Sequence, residues 1–172
     1  MKPIENFESV EAASERKRLT PGGYICRITK VEDVSDKEYL RMEYDFADGE
    51  LKGYWDENDE RFGWRDSFVR SYKDKAAGFF KQFVQSVEQS NSGFAWKWEE
   101  QALKGKLVGI ILSEEEYQKR DGSVGTRLRV SKTTSVDKIR SGDYTVPAKK
   151  TLAVNERTTA SAISNDDLPF DY

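Results

Sequence analysis

The sequence has no histidine and one cysteine, Cys26, so an internal disulfide is impossible. Zinc sites built on nitrogen and sulfur ligands are excluded with it, while an all-oxygen magnesium or calcium site is left open. Without histidine, no side chain ordinarily titrates near neutrality for acid–base work. There is no glycine-rich phosphate loop and no nucleophile with an activating set. No apolar run approaches about 18 residues, so no membrane span is expected. The opening stretch Met1–Phe7 lacks an apolar signal core. Two acid pairs, Asp56 with Glu57 and Asp59 with Glu60, are the one feature a metal-dependent nuclease could use. They sit in a dense acidic loop that reads more simply as solvent-facing, so neither enzyme activity nor a cofactor is expected.

What is present is a polar chain rich in rings. Of 172 residues 34% are charged, yet 12% are aromatic, which fits a folded body with polar extensions rather than a disordered chain. The net charge of -3 is accounted for entirely by residues 151–172, where Glu156, Asp166, Asp167 and Asp171 face one base, Arg157. The body is neutral. Nucleic-acid binding by such a body depends on how its charges are distributed, not on their sum.

Three segments follow from the pattern: a flexible arm over 1–19, a folded domain over 20–147, and a linker with an acidic tip over 148–172. Tyr24 to Val31 reads as a first strand, with buried Cys26 on its apolar face. In Tyr39 to Phe46 the apolar residues Leu40, Met42, Tyr44 and Phe46 alternate with Arg41, Glu43 and Asp45, giving one dry and one wet face. Asp48-Gly49 then predicts a hairpin into a third strand, Leu51 to Trp55. From Ser67 to Ser90 apolar residues recur at steps of three and four, which predicts a long helix with Phe79, Phe80 and Phe83 in the core. Gly78 inside it is expected to allow close approach to a strand. Lys106 to Leu112 and Thr126 to Val130 supply two more strands, and Ser135 to Tyr144 a short helical turn with a loop.

The expected fold is all-β with one long helix. Three strands, a helix and two strands is the order of the five-stranded oligonucleotide-binding barrel, whose helix lies between strands 3 and 4.

The chain ends Asp166-Asp167-Leu168-Pro169-Phe170-Asp171-Tyr172. This ending resembles the acidic tip of bacterial and phage single-stranded DNA-binding proteins, in which acids precede an aliphatic residue, proline and phenylalanine. It departs from that pattern by the two residues after Phe170, so either Asp171 supplies the terminal charge or Tyr172 is the inserted ring. The resemblance implies an oligonucleotide-binding barrel and a docking peptide that recruits replication or recombination proteins. It also implies work in the cytoplasm of a bacterial cell or a phage-infected host. The runner-up is a protein-interaction adaptor of such a complex that does not touch DNA. A homo-oligomer is compatible with either.

Binding a single strand without sequence preference needs rings for the bases and cations along the phosphates. The stacking candidates are Tyr39, Trp55, Trp64 and Tyr117, which lie beside basic residues or in loops. The phosphate candidates are Arg41 and Lys52 on the strand pair, and Arg127, Arg129 and Lys132 on or just after the last strand. Arg127 and Arg129 share a face and have no acid beside them in sequence.

Overall fold

The computed structural model describes residues 1–10, 12 and 17–152. Five strands, β1 (Gly22–Val34), β2 (Tyr39–Phe46), β3 (Ser67–Ser71), β4 (Leu107–Gln118) and β5 (Val124–Thr134), form one antiparallel sheet in the order β3-β2-β1-β4-β5. Two short helices, α1 (Tyr54–Glu57) and α2 (Asp59–Phe62), precede β3. The long helix α3 (Ala77–Ser90) separates β3 from β4, and α4 (Val136–Ser141) follows β5. Among the described residues, no helix is long and apolar enough to cross a membrane.

β1 holds the sheet together by pairing with β4 through its first half and β2 through its second. Cys26 and Ile28 face the core, and the register shift between Ile28 and Lys30 moves the inward phase by one residue, so that Val31 is buried as well. β5 uses the same device. Its register shifts opposite Ile111 and Leu112, which turns both Val130 and Thr133 inward. Burial pushes the Cys26 thiol pKa up, with Asp45 adding to the shift, so this cysteine is an inert small hydrophobe.

The third strand is not where the Asp-Gly signal puts it. Leu51 to Trp55 turns into α1, and the third strand is Ser67–Ser71, inside the stretch whose apolar spacing predicts the start of the helix. The cause is Asp45. Its carboxylate accepts the backbone N–H groups of Phe46 at 2.8 Å, Trp55 at 3.0 Å and Asp56 at 3.1 Å. Donors that a strand ladder would need are thereby drawn onto one buried side chain. Asp45, expected on the wet face, is 5% exposed.

α3 lays Phe80, Phe83, Val84 and Val87 on the sheet, with Phe83 edge-on to Phe68 at 6.0 Å. Asn91 fixes its exit. The Asn91 amide donates to Val87 and Leu107 carbonyls and accepts the Leu107 N–H, so the helix end sets where β4 begins. Two expectations for this helix fail. Phe79 is half exposed rather than core, and a Cβ on Gly78 would meet nothing within 4 Å, so no strand approaches there.

β4 and β5 are longer than their apolar runs. Beyond Leu112, β4 has lost β1 as a neighbour and pairs with β5 alone on that side, so both faces tolerate polar residues. The edge it leaves is taken up by the chain after α4, where Lys150 donates to the Glu114 carbonyl at 3.0 Å and accepts from Glu116 at 2.8 Å. α4 is capped by Ser135 and packs Ile139 onto Gly23 and Gly109, while Tyr144 just beyond it packs onto Gly23, positions where any Cβ would collide.

Candidate nucleic-acid interface

β2, β3 and β5 enclose a cleft of about 290 Å³ lined by Tyr39 and Arg41, by Ser67 to Arg70, and by Arg129 and Val130. Period-two alternation puts Tyr39 and Arg41 there, since Leu40 and Met42 are committed to the core. Arg41 is exposed and donates a long 3.4 Å hydrogen bond to Ser67 Oγ. Three residues chosen from the sequence, Tyr39, Arg41 and Arg129, thus meet in one cleft although they come from strands that are not neighbours.

A third cation in the cleft, Arg70, is not evident from the sequence. It is 5% exposed and lies over the rings of Phe68 and Phe83 at 5.2 and 5.9 Å. Its guanidinium donates to the Val69 carbonyl at 2.8 Å and to Thr133 Oγ1 at 3.3 Å, reaching from β3 to β5. Thr133 is held in turn by Gln82 of α3, whose amide donates to the Thr133 carbonyl at 2.7 Å. The signal was Phe68 two residues before it. Read as a strand, that spacing turns Arg70 inward, whereas read as a helix it leaves the arginine at the surface.

A second cleft of about 310 Å³ adjoins the first, since Arg129 and Val130 line both. Lys132 lies in it with Glu115, Pro147 and Lys150. Arg127 is at the outer end of the same face, its guanidinium 5.3 Å from the Tyr117 ring centre. Tyr117 is half-buried, so one face of its ring is already covered. The absence of a neighbouring acid in sequence does not carry over to space. The β4–β5 register sets Glu115 opposite Arg127, and its carboxylate binds Arg127 at 3.3 Å and Arg129 at 3.1 Å.

Behind the cleft, the buried Tyr44 hydroxyl donates to Asp66 Oδ2 at 2.6 Å. Burial raises the Asp66 pKa, opposed by the Tyr44 and Ser67 hydrogen bonds and by the charges of Arg129 and Arg127. Burial and the same carboxylate push the Tyr44 phenol up. An incoming anion would compete with Asp66 and Glu115 for the two arginines.

The remaining sequence candidates lie elsewhere. Trp55 is 3% exposed and packed among Tyr54, Phe62 and Trp64, so its ring is closed to a base. The fold supplies the reason, because α1 turns Trp55 onto the core where a third strand was expected. Trp64 keeps 60% of its surface exposed, three residues before the cleft residue Ser67. Lys52 is exposed in the turn beyond Phe46, past the opposite end of β2 from Tyr39, and does not line either cleft. The acids expected in a loop lie in α1 and α2 and are tied to Arg65, which binds Asp56 at 2.6 Å and Asp59 at 3.0 Å. Among the described residues, no group of three or more acids and thiols stands close enough to hold a metal ion. The tip residues Asp166, Asp167, Leu168, Pro169, Phe170, Asp171 and Tyr172 lie outside the described residues.

The sequence matches no protein-family model and no curated protein. The functional reading therefore rests on the clefts themselves and on the residues that line them.

Proposed function

We propose that this protein binds single-stranded DNA along the face of β2, β3 and β5, and that its acidic C-terminal tip recruits replication or recombination proteins. The observation that carries this reading is the meeting of Tyr39, Arg41 and Arg129 in one cleft between the two edge strands. A ring and two guanidiniums are the minimum set for stacking a base while neutralising its flanking phosphates. The continuation past Arg129 to Lys132 gives the strand a path rather than a pocket.

The same reading takes the sheet as a partly open barrel of the oligonucleotide-binding kind. Its support is the strand order, the helix between β3 and β4, and the Arg70 to Thr133 hydrogen bond across the gap between the outer strands. The protein acts as a binding module and not as a catalyst, in the cytoplasm of a bacterial cell or a phage-infected host. Assembly into a homo-oligomer would lengthen the path.

The test is fluorescence anisotropy of a labelled oligothymidylate titrated with the full chain at several salt concentrations, with a duplex control. The expected result is preference for the single strand and an affinity falling log-linearly with salt, by roughly 0.7 in slope for each phosphate neutralised. Absence of binding at low salt would overturn DNA binding and leave the adaptor as the surviving account.

A further inference from the structure

Away from the cleft, near the end of the sheet where β1 turns into β2, a groove of about 250 Å³ is lined by Tyr72, Phe80, Trp96 and Trp98 together with Asp33 and Glu100. Phe80 is its buried centre. Tyr72 and Trp96 stand edge-on to that ring at 6.2 and 6.0 Å, and Trp98 lies parallel to it at 6.1 Å. Trp96 and Trp98 are themselves 5.9 Å apart, so the rings form adjoining walls rather than a flat patch.

Two features separate this groove from an ordinary outer layer of the core. Trp98 is 75% exposed and has a left-handed backbone, with φ of 59°. A bulky side chain in that conformation is strained, and such strain recurs where a side chain is held in place for a ligand. The second feature is charge. Asp33 accepts a 2.8 Å hydrogen bond from the Tyr72 hydroxyl. Burial, then Asp33, Glu38 and Asp36, push the Tyr72 phenol up to about 12, a sign that the field here is negative.

Electron-rich ring faces beside carboxylates repel phosphate and attract cations. We propose that this groove captures the guanidinium or ammonium group of a basic segment of a partner protein, with Trp98 and Trp96 as its aromatic walls and Asp33 and Glu100 as its counter-charges. It is a second docking surface of opposite sign to the cleft between β3 and β5. Its occupant is a polypeptide bearing arginine or lysine. Binding here does not depend on DNA binding at the cleft.

The experiment follows the indole N–H resonances of the full chain during titration with a ten-residue glycine peptide carrying two arginines. The matched peptide with glutamines and an oligothymidylate serve as competing probes. The arginine peptide should shift the Trp96 and Trp98 signals, and the glutamine peptide should not. Trp98→Ala, and separately Asp33→Asn with Glu100→Gln, should each weaken the response about tenfold while leaving oligothymidylate affinity unchanged. No shift with the arginine peptide, or an equal shift with glutamines, would overturn the proposal. So would Trp96 and Trp98 signals that move with oligothymidylate alone, which would make the groove a base-stacking surface.

Discussion

Arg70 on one outer strand donates a 3.3 Å hydrogen bond to Thr133 Oγ1 on the other, so side chains join the two strands that stand farthest apart in the sheet order. The hydroxyl also lies 3.5 Å from Gln82 Oε1, which brings α3 into the same junction. Thr133→Val keeps the shape and removes the acceptor from a buried guanidinium. Unfolding in urea should show a loss of about 1.5–3 kcal/mol, as expected for a hydrogen bond to a charged group. An unchanged midpoint would mean that the junction contributes nothing to the fold.

Glu115 restrains the same two arginines that a phosphate backbone would engage. Glu115→Gln should therefore raise oligothymidylate affinity, by roughly threefold to tenfold at low salt for removal of one partly buried charge. Arg129→Ala should act in the opposite direction and flatten the salt dependence by roughly 0.7 in slope. Lys52→Ala, outside both clefts, should leave both quantities where they are. Equal losses for Lys52→Ala and Arg129→Ala would move the interface away from the cleft.

Asp66 makes part of the fold's stability depend on pH. Its pKa is raised by burial in the folded chain, so the folded state holds the proton more tightly than the unfolded state does. Folding then takes up protons between the ordinary carboxylate value and the raised one, and stability from this group falls as pH rises through that window. Asp66→Asn retains an acceptor for the Tyr44 hydroxyl and removes the ionisation. The stability of the native chain relative to this variant should decline as pH rises from the ordinary carboxylate range through the raised Asp66 pKa, then level off. Parallel pH curves would show that the buried carboxylate has no such effect.

Gly78 occupies an exposed helix position with open space around it. Gly78→Ala should stabilise the chain by about 0.5–1 kcal/mol, since glycine loses the most backbone entropy in a helix. A destabilised variant would reveal a contact at this position that the geometry does not contain.

The parts legible in the sequence were those fixed by periodicity alone. β2, the apolar run of β4 and the buried face of α3 from Phe80 to Val87 follow from steps of two, three and four, and they already place Tyr39 and Arg41 on one face. The parts that were not legible depend on contacts distant in sequence. Asp45 collects three N–H groups from two segments and thereby abolishes the strand that Asp48-Gly49 announces. Phe68 and Tyr72 fit helical spacing as well as strand spacing, and only pairing of Phe68 with Met42 decides for β3. Glu115 is twelve residues from Arg127, a separation that becomes a 3.3 Å ion pair only once the β4–β5 register is known. Phe79 fits the helical spacing as Phe80 and Phe83 do, and only the packing of α3 on the sheet leaves it half exposed.

The Lys150 backbone hydrogen bonds fall on Glu114 and Glu116, the two neighbours of Glu115. Any tension applied to the chain beyond Leu152 is therefore delivered first to the strand segment whose carboxylate restrains Arg127 and Arg129. The exit point of the tail and the grip on the cleft's cations are, mechanically, the same three residues.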